Sequence, residues 1–177
     1  MMPNMRFGTT VVAIAVLASV AGCARAPFES TAAADPSPAV SRPLTDFAEE
    51  SYYSFKTLGD ELECRIVSAS LACQTRGRAY TVADSALCGF YPLDVEQGNA
   101  NRFGFFRGGP EPCATIVQGV GFHSPHTLAS GQAVTAELMP GRLVTCTAAD
   151  DALTCRSAEE GSGARSFVLT LDTFTVA

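Results

Sequence analysis

Two ten-residue segments, CRIVSASLAC (64–73) and CTAADDALTC (146–155), place eight residues between a pair of cysteines. An even gap puts both cysteines on one face of a tight β-hairpin, directly opposite each other, because side chains alternate along a strand with period two. Ser68-Ala69 and Asp150-Asp151 fall at the centres of the two turns. The likeness goes further. Leu71 and Leu153 each stand two residues before the second cysteine, and Leu62 and Val144 two before the first. The chain therefore reads as an internal repeat, with a cystine-stapled hairpin near each end of one domain.

Cys64, Cys73, Cys88, Cys113, Cys146 and Cys155 allow 15 pairings, and a sequence does not choose among them by itself. Spacing favours 64–73 and 146–155, which leaves 88–113 to close a longer loop. Zinc sites usually present C-x2–4-C knuckles, and no such knuckle or C-x-x-C redox motif occurs. Three disulfides point to an exported domain.

The seventh cysteine is of another kind. Arg6 precedes VVAIAVLASVA (11–21), an apolar run half the length that a spanning helix needs and of the size of a signal-peptide core. It ends in Val20-Ala21-Gly22-Cys23, which resembles the bacterial lipoprotein processing site. That resemblance implies a signal peptide over 1–22, with Cys23 acylated after cleavage. Its acyl chains would anchor the protein to a membrane at about 0.8 kcal/mol per buried CH2. Residues 24–46 carry Pro27, Pro36, Pro38 and Pro43 among Ala, Ser and Thr. They read as a disordered tether, reaching about 25–30 Å as a coil and about 70 Å if extended. The folded domain is then expected over 47–177.

Within it, short stretches rich in β-branched and aromatic residues are separated by Gly, Pro, Asp and Ser. Strands are predicted over 52–57, 61–67, 71–75, 79–83, 114–121, 133–138, 142–147, 152–157 and 166–171, with Pro140-Gly141 as a turn. No long stretch of helical period follows residue 30. The fold class is all-β, a small disulfide-stapled sandwich or open barrel-like sheet.

Functional signals are fewer. Twelve Lys+Arg against 18 Asp+Glu give a net charge of −6, without the basic stripe that nucleic acid requires. The glycine-rich stretch 94–113 holds Arg102, Phe103, Phe105, Phe106 and Arg107, readable as an exposed recognition loop for a glycan, a lipid or an anionic ligand; the partners expected are the membrane, through the anchor, and an envelope protein, glycan or lipid. The favoured reading is an irregular loop whose phenylalanines fill the core beneath, pinned by a disulfide at Cys113. His123 and His126 lie in GFHSPHT, a loop with no acidic residue nearby in sequence. They would serve a metal site or hydrolase only with a carboxylate from elsewhere. Neither G-x-S-x-G nor H-E-x-x-H occurs, and no catalytic residue, metal or cofactor is expected. A non-catalytic binding module is the leading expectation, with a carrier of a lipid or other apolar ligand as the alternative.

Phe55, Thr57, Leu62 and Cys64 keep the spacing of the signature F-x-[ST]-P-S-G-N-I-x-C, and LVTCTAADDALTCRS matches the closing hairpin of the same proteins. Over residues 52–172 the chain resembles a family of uncharacterised secreted and lipoprotein domains common in actinobacteria. The resemblance implies a fold and an exported location, and brings no activity with it.

Overall fold

The computed structural model describes residues 38–92, 98–118, 121–159 and 163–177. Cys23 and the whole proposed leader lie outside them. In chain order the strands are β1 (Val40–Arg42), β2 (Tyr53–Thr57), β3 (Leu62–Val67), β4 (Ser70–Thr75), β5 (Tyr80–Thr81), β6 (Asn99–Ala100), β7 (Arg102–Phe105), β8 (Pro112–Thr115), β9 (Gln132–Met139), β10 (Arg142–Ala148), β11 (Ala152–Glu159), β12 (Arg165–Thr170) and β13 (Phe174–Val176). Two short 3-10 turns, Leu44–Phe47 and Asp84–Ala86, are the helical elements among the described residues.

These strands build two sheets, ordered β2-β3-β4-β7-β8 and β1-β9-β10-β11-β12-β13, with β5-β6 as a separate ribbon. Each sheet contains a five-stranded antiparallel meander, and the cystine joins the second strand to the third in both. Cys64 faces Cys73, flanked by Phe55 and Phe103 on the outer strands; Cys146 faces Cys155, flanked by Val134 and Phe167. The repeat read from two hairpins thus extends across both sheets. All three predicted bridges are present: 64–73, 88–113 and 146–155.

Alternation explains why the sheets stack. In β9, Val134, Ala136 and Leu138 point inward, while Thr135, Glu137 and Met139 point to solvent. The inward residues of both sheets form one core around Phe47, Phe55, Phe103, Phe105 and Phe167, each at most 1 % exposed. The two half-cystine pairs sit in the same core. A disulfide-stapled β-sandwich with two repeated hairpins is the fold.

The hairpin turns lie at opposite ends of the sandwich. Ser68 and Ala69 border Glu137 and Leu138 at one end, and Asp150 borders Leu58 and Gly59 at the other. Ser68 and Ala69 both have positive φ (47° and 66°), the backbone of a type I′ turn that usually recruits Gly or Asn. Pairing of Cys64 with Cys73 leaves two residues for this turn and imposes that backbone on a Ser-Ala pair.

Three expectations need correction. The proposed tether does not run to residue 46, since Val40–Arg42 pairs in parallel with Gln132–Val134; Phe47, expected to open the domain, is buried edge-on against Phe55. Backbone hydrogen bonds hold β1, and they require no apolar pattern. The strand expected over 114–121 is Pro112–Thr115, and the chain leaves the sheet at Ile116. Finally, the loop expected around Arg102 is the strand β7, deep in the first sheet.

Candidate functional site

The first sheet turns a polar face away from the core. Register aligns Lys56, Glu63, Gln74, Arg102 and Thr115 in one row across its five strands. The next row is Ser54, Arg65, Ala72, Gly104 and Cys113. After β8 the chain crosses over this face and docks beside β2. The Lys56 N–H donates to the His126 carbonyl and the Leu128 N–H to the Lys56 carbonyl, both at 2.9 Å. Asn101 holds the start of the crossing through both the N–H and the carbonyl of Val117. Ser54 Oγ meets Ser124 Oγ at 3.0 Å near its end. This cover is why Ser54, Glu63 and Thr115 are buried although they point away from the core.

Phe122, in the middle of the crossing, meets two arginines. The Arg65 guanidinium lies 4.6 Å from the centre of its ring and that of Arg102 lies 4.4 Å from it. Arg65 also lies 4.2 Å from the Tyr52 ring. On the β4 side of Arg65 the outward positions in register are Ala72 and Gly104, so no long side chain rises beside that arginine there; Arg102 has Gln74 beside it. Arg102 Nη2 donates to Gln74 Oε1 at 2.9 Å. The Nε atoms of both arginines are buried without a hydrogen-bond partner. Among the described residues neither guanidinium has a carboxylate at ion-pair distance. Burial first, and then the Arg65 charge, push the Arg102 guanidinium below the usual arginine value.

Beside this stack a groove of about 760 Å³ opens between 121–123 and the β4–β5 connection. Glu63 and Gln74 line it together with Arg76, Arg78, Asn101 and Phe122. Arg76 pairs with the buried Glu63 carboxylate, and that hydrogen bond raises the arginine above its usual value. The second Glu63 oxygen is buried and unpartnered. Arg78 is held loosely, 3.9 Å from Asp172 and 4.0 Å from Glu61, and is half exposed. Gly121 lies so close that a Cβ there would stand 3.3 Å from Gln74 Nε2.

The residues singled out in sequence are divided by this arrangement. Arg102 belongs to the stack. Phe103 and Phe105 are fully buried, packed against Tyr80, Phe174 and Phe167. Phe106 is half-buried and edge-on to Phe90, itself 58 % exposed, and Arg107 is exposed. His123 lines the groove. His126 turns elsewhere, its Nε2 lying 3.5 Å from Glu49 Oε1, so a carboxylate does come from a distant part of the chain. Ser54 Oγ donates to the same carboxylate and Ser124 Oγ bonds backbone atoms of His126, so neither hydroxyl is bonded to the imidazole. No group of three potential metal ligands occurs among the described residues. Arg65, Gln74, Arg76, Arg78 and Phe122 went unread in sequence; the only local signal is TRGR (75–78), two arginines around a glycine. No family model, curated protein or solved structure matches the chain.

Proposed function

We propose that this protein is a lipid-anchored, extracytoplasmic binding module that captures a component of the cell envelope in the groove between 121–123 and the β4–β5 connection. The observation that carries the reading is the groove itself. Arginine, amide and imidazole groups converge on a floor made by the central strands of a disulfide-stapled sheet, so the site is organised before a ligand arrives. Three disulfides fit an oxidising, extracytoplasmic setting. The Val-Ala-Gly-Cys23 motif supports the anchor, and the likeness to actinobacterial lipoprotein domains agrees with it. Between the sheets the space is occupied by Phe47, Phe55, Phe103, Phe105, Phe167 and the cystines, which favours surface capture over carriage of an apolar molecule inside the sandwich.

Photo-cross-linking from position 77 on the lip of the groove, in cells, is expected to give discrete envelope adducts. The same cross-linker at position 154, on the outer face of the second sheet, is expected to give none. Equal adducts from both positions, or a non-covalently bound lipid in the native spectrum of residues 38–177 that a groove substitution does not release, would overturn this reading. Cys23→Ala is expected to move the protein from the membrane fraction to the medium.

A further inference from the structure

The lining of the groove includes one carboxylate, Glu63, and Arg76 already engages it. Two arginines stand on the lip. Two more, Arg65 and Arg102, stand behind the Phe122 wall with no carboxylate against them among the described residues and with their Nε atoms unpartnered. Glu61 and Asp172 stand 4.0 and 3.9 Å from Arg78, so the unbalanced positive charge is that of Arg65 and Arg102, built into a chain whose net charge is −6. Two like charges brought this close on a partly buried surface repel each other, and desolvation adds to the penalty. The ring offsets part of it; a bound anion would offset the rest. The same ring argues against a neutral sugar, because two guanidiniums already lie over it and leave little of its face for stacking. Arg78 is half exposed, and its two terminal nitrogens pair only loosely with Glu61 and Asp172, at 4.0 and 3.9 Å, so an oxyanion taken bidentately by its fork would exchange two long contacts for two hydrogen bonds.

We infer that the groove recognises a ligand bearing closely spaced oxyanions, with Arg78 making the direct contact at the lip and the Arg65–Phe122–Arg102 stack supplying the field behind it. This inference rests on the groove reading above. Carboxylates of an acidic polysaccharide and phosphates of a phosphate polymer share this chemistry, and the test separates them.

Arginine Nε–H resonances of the exported full chain, labelled with 15N-arginine, would be titrated with polygalacturonate, linear polyphosphate and neutral pullulan. The expected result is that one or both polyanions shift Arg76, Arg78 and Arg102 while Arg156, on the opposite sheet, stays still. Arg78→Gln, an exposed substitution with little bearing on folding, should weaken that binding at least tenfold; Arg156→Gln should leave it unchanged. Binding should also fall steeply with salt. Polyphosphate alone would name phosphate as the source, and polygalacturonate alone a carboxylated glycan. Silence from both polyanions, or equal shifts at Arg156, overturns the inference. Groove resonances that respond to pullulan while both polyanions are silent overturn the anionic class alone and leave the groove reading standing.

Discussion

Replacing Phe122 with Leu removes the aromatic ring and keeps most of the apolar bulk. Each partly exposed guanidinium over a ring is worth about 0.5–1 kcal/mol, so the loss from Arg65 and Arg102 together should be about 1–2 kcal/mol. The two guanidiniums lie 4.6 Å and 4.4 Å from one ring centre, hence no more than about 9 Å from each other. At that separation their repulsion is about 0.5 kcal/mol in a water-like medium and about 2 kcal/mol at an effective dielectric of 20; partial exposure favours the lower figure. Attraction to the ring and mutual repulsion are therefore of the same size. Arg102→Gln alone should change stability by less than about 1 kcal/mol, because it removes one of each. In the Phe122→Leu background the attraction to the ring is gone, and there Arg102→Gln should be more favourable than in the parent by about 0.5–1 kcal/mol; loss of the hydrogen bond to Gln74 is common to both backgrounds and cancels in the cycle. Urea denaturation of the four proteins in this double-mutant cycle gives the coupling directly. Salt should stabilise Phe122→Leu more than the parent. If Arg102→Gln has the same effect in both backgrounds, the ring and the arginine are uncoupled, Phe122 is mere filler, and the energetic account of the stack is wrong.

Removing either hairpin bridge as a Cys→Ala pair should cost about 4 kcal/mol in urea denaturation. A separation of nine residues gives roughly 2.6 kcal/mol of loop entropy, and the emptied sulfur sites, at most 2 % exposed, add roughly 1–2 kcal/mol. A loss below 2 kcal/mol for both pairs would contradict this. Gly104→Ala should abolish secretion of folded protein, because its Cβ would stand 2.1 Å from the Leu71 carbonyl oxygen at a φ of +149°; a soluble variant with unchanged melting temperature would refute the close approach. Tyr80 is buried, donates to the Thr170 carbonyl, and has its pKa pushed up to about 12, chiefly by that burial. The fold favours the neutral phenol, so its contribution is intact below pH 10 and should be lost as pH rises from about 10 to 12. Tyr80→Phe should flatten that part of the stability–pH curve, and an unchanged slope would count against it.

Local pattern made much of the fold readable. The C-x8-C spacing set the register of two hairpins, and two-residue alternation around it located most of the longer strands. Where local pattern was misleading, a contact distant in sequence decided. Phe103-Gly104-Phe105 looks like loop composition, yet Gly104 is what lets β7 approach β4 so closely that the Leu71 carbonyl occupies the space of a Cβ. Strand β1 pairs through its backbone with residues 92 positions away and leaves no apolar signature. The candidate site was nearly invisible for the same reason. Arg65, Gln74, Arg102 and Phe122 come from four separate segments, and no spacing rule connects them before the sheet forms.

Comparison of the two halves locates the site by a different route. With the cystines as reference, the inward positions correspond: Phe55 with Val134, Cys64 with Cys146, Cys73 with Cys155, Phe103 with Phe167. All are at most 2 % exposed, and all are apolar because they share one core. The outward positions of the same strands share no such constraint, and they diverge. Lys56, Glu63, Gln74 and Arg102 in the first sheet stand where the second has Thr135, Thr145, Arg156 and Ser166. Arg65 stands where the second has Thr147. The second sheet's set is what a solvated β-face needs: short hydroxyl side chains of high strand preference and one charge. The first sheet's set is costly, with a buried glutamate and two arginines short of partners. The two faces also differ in cover: the first is covered by the crossing that carries Phe122 and the second faces solvent, so the cover accounts for the buried Glu63. The unpartnered Nε atoms of Arg65 and Arg102 are left to be accounted for by the proposed anionic ligand, and the polyanion titration puts that proposal at risk.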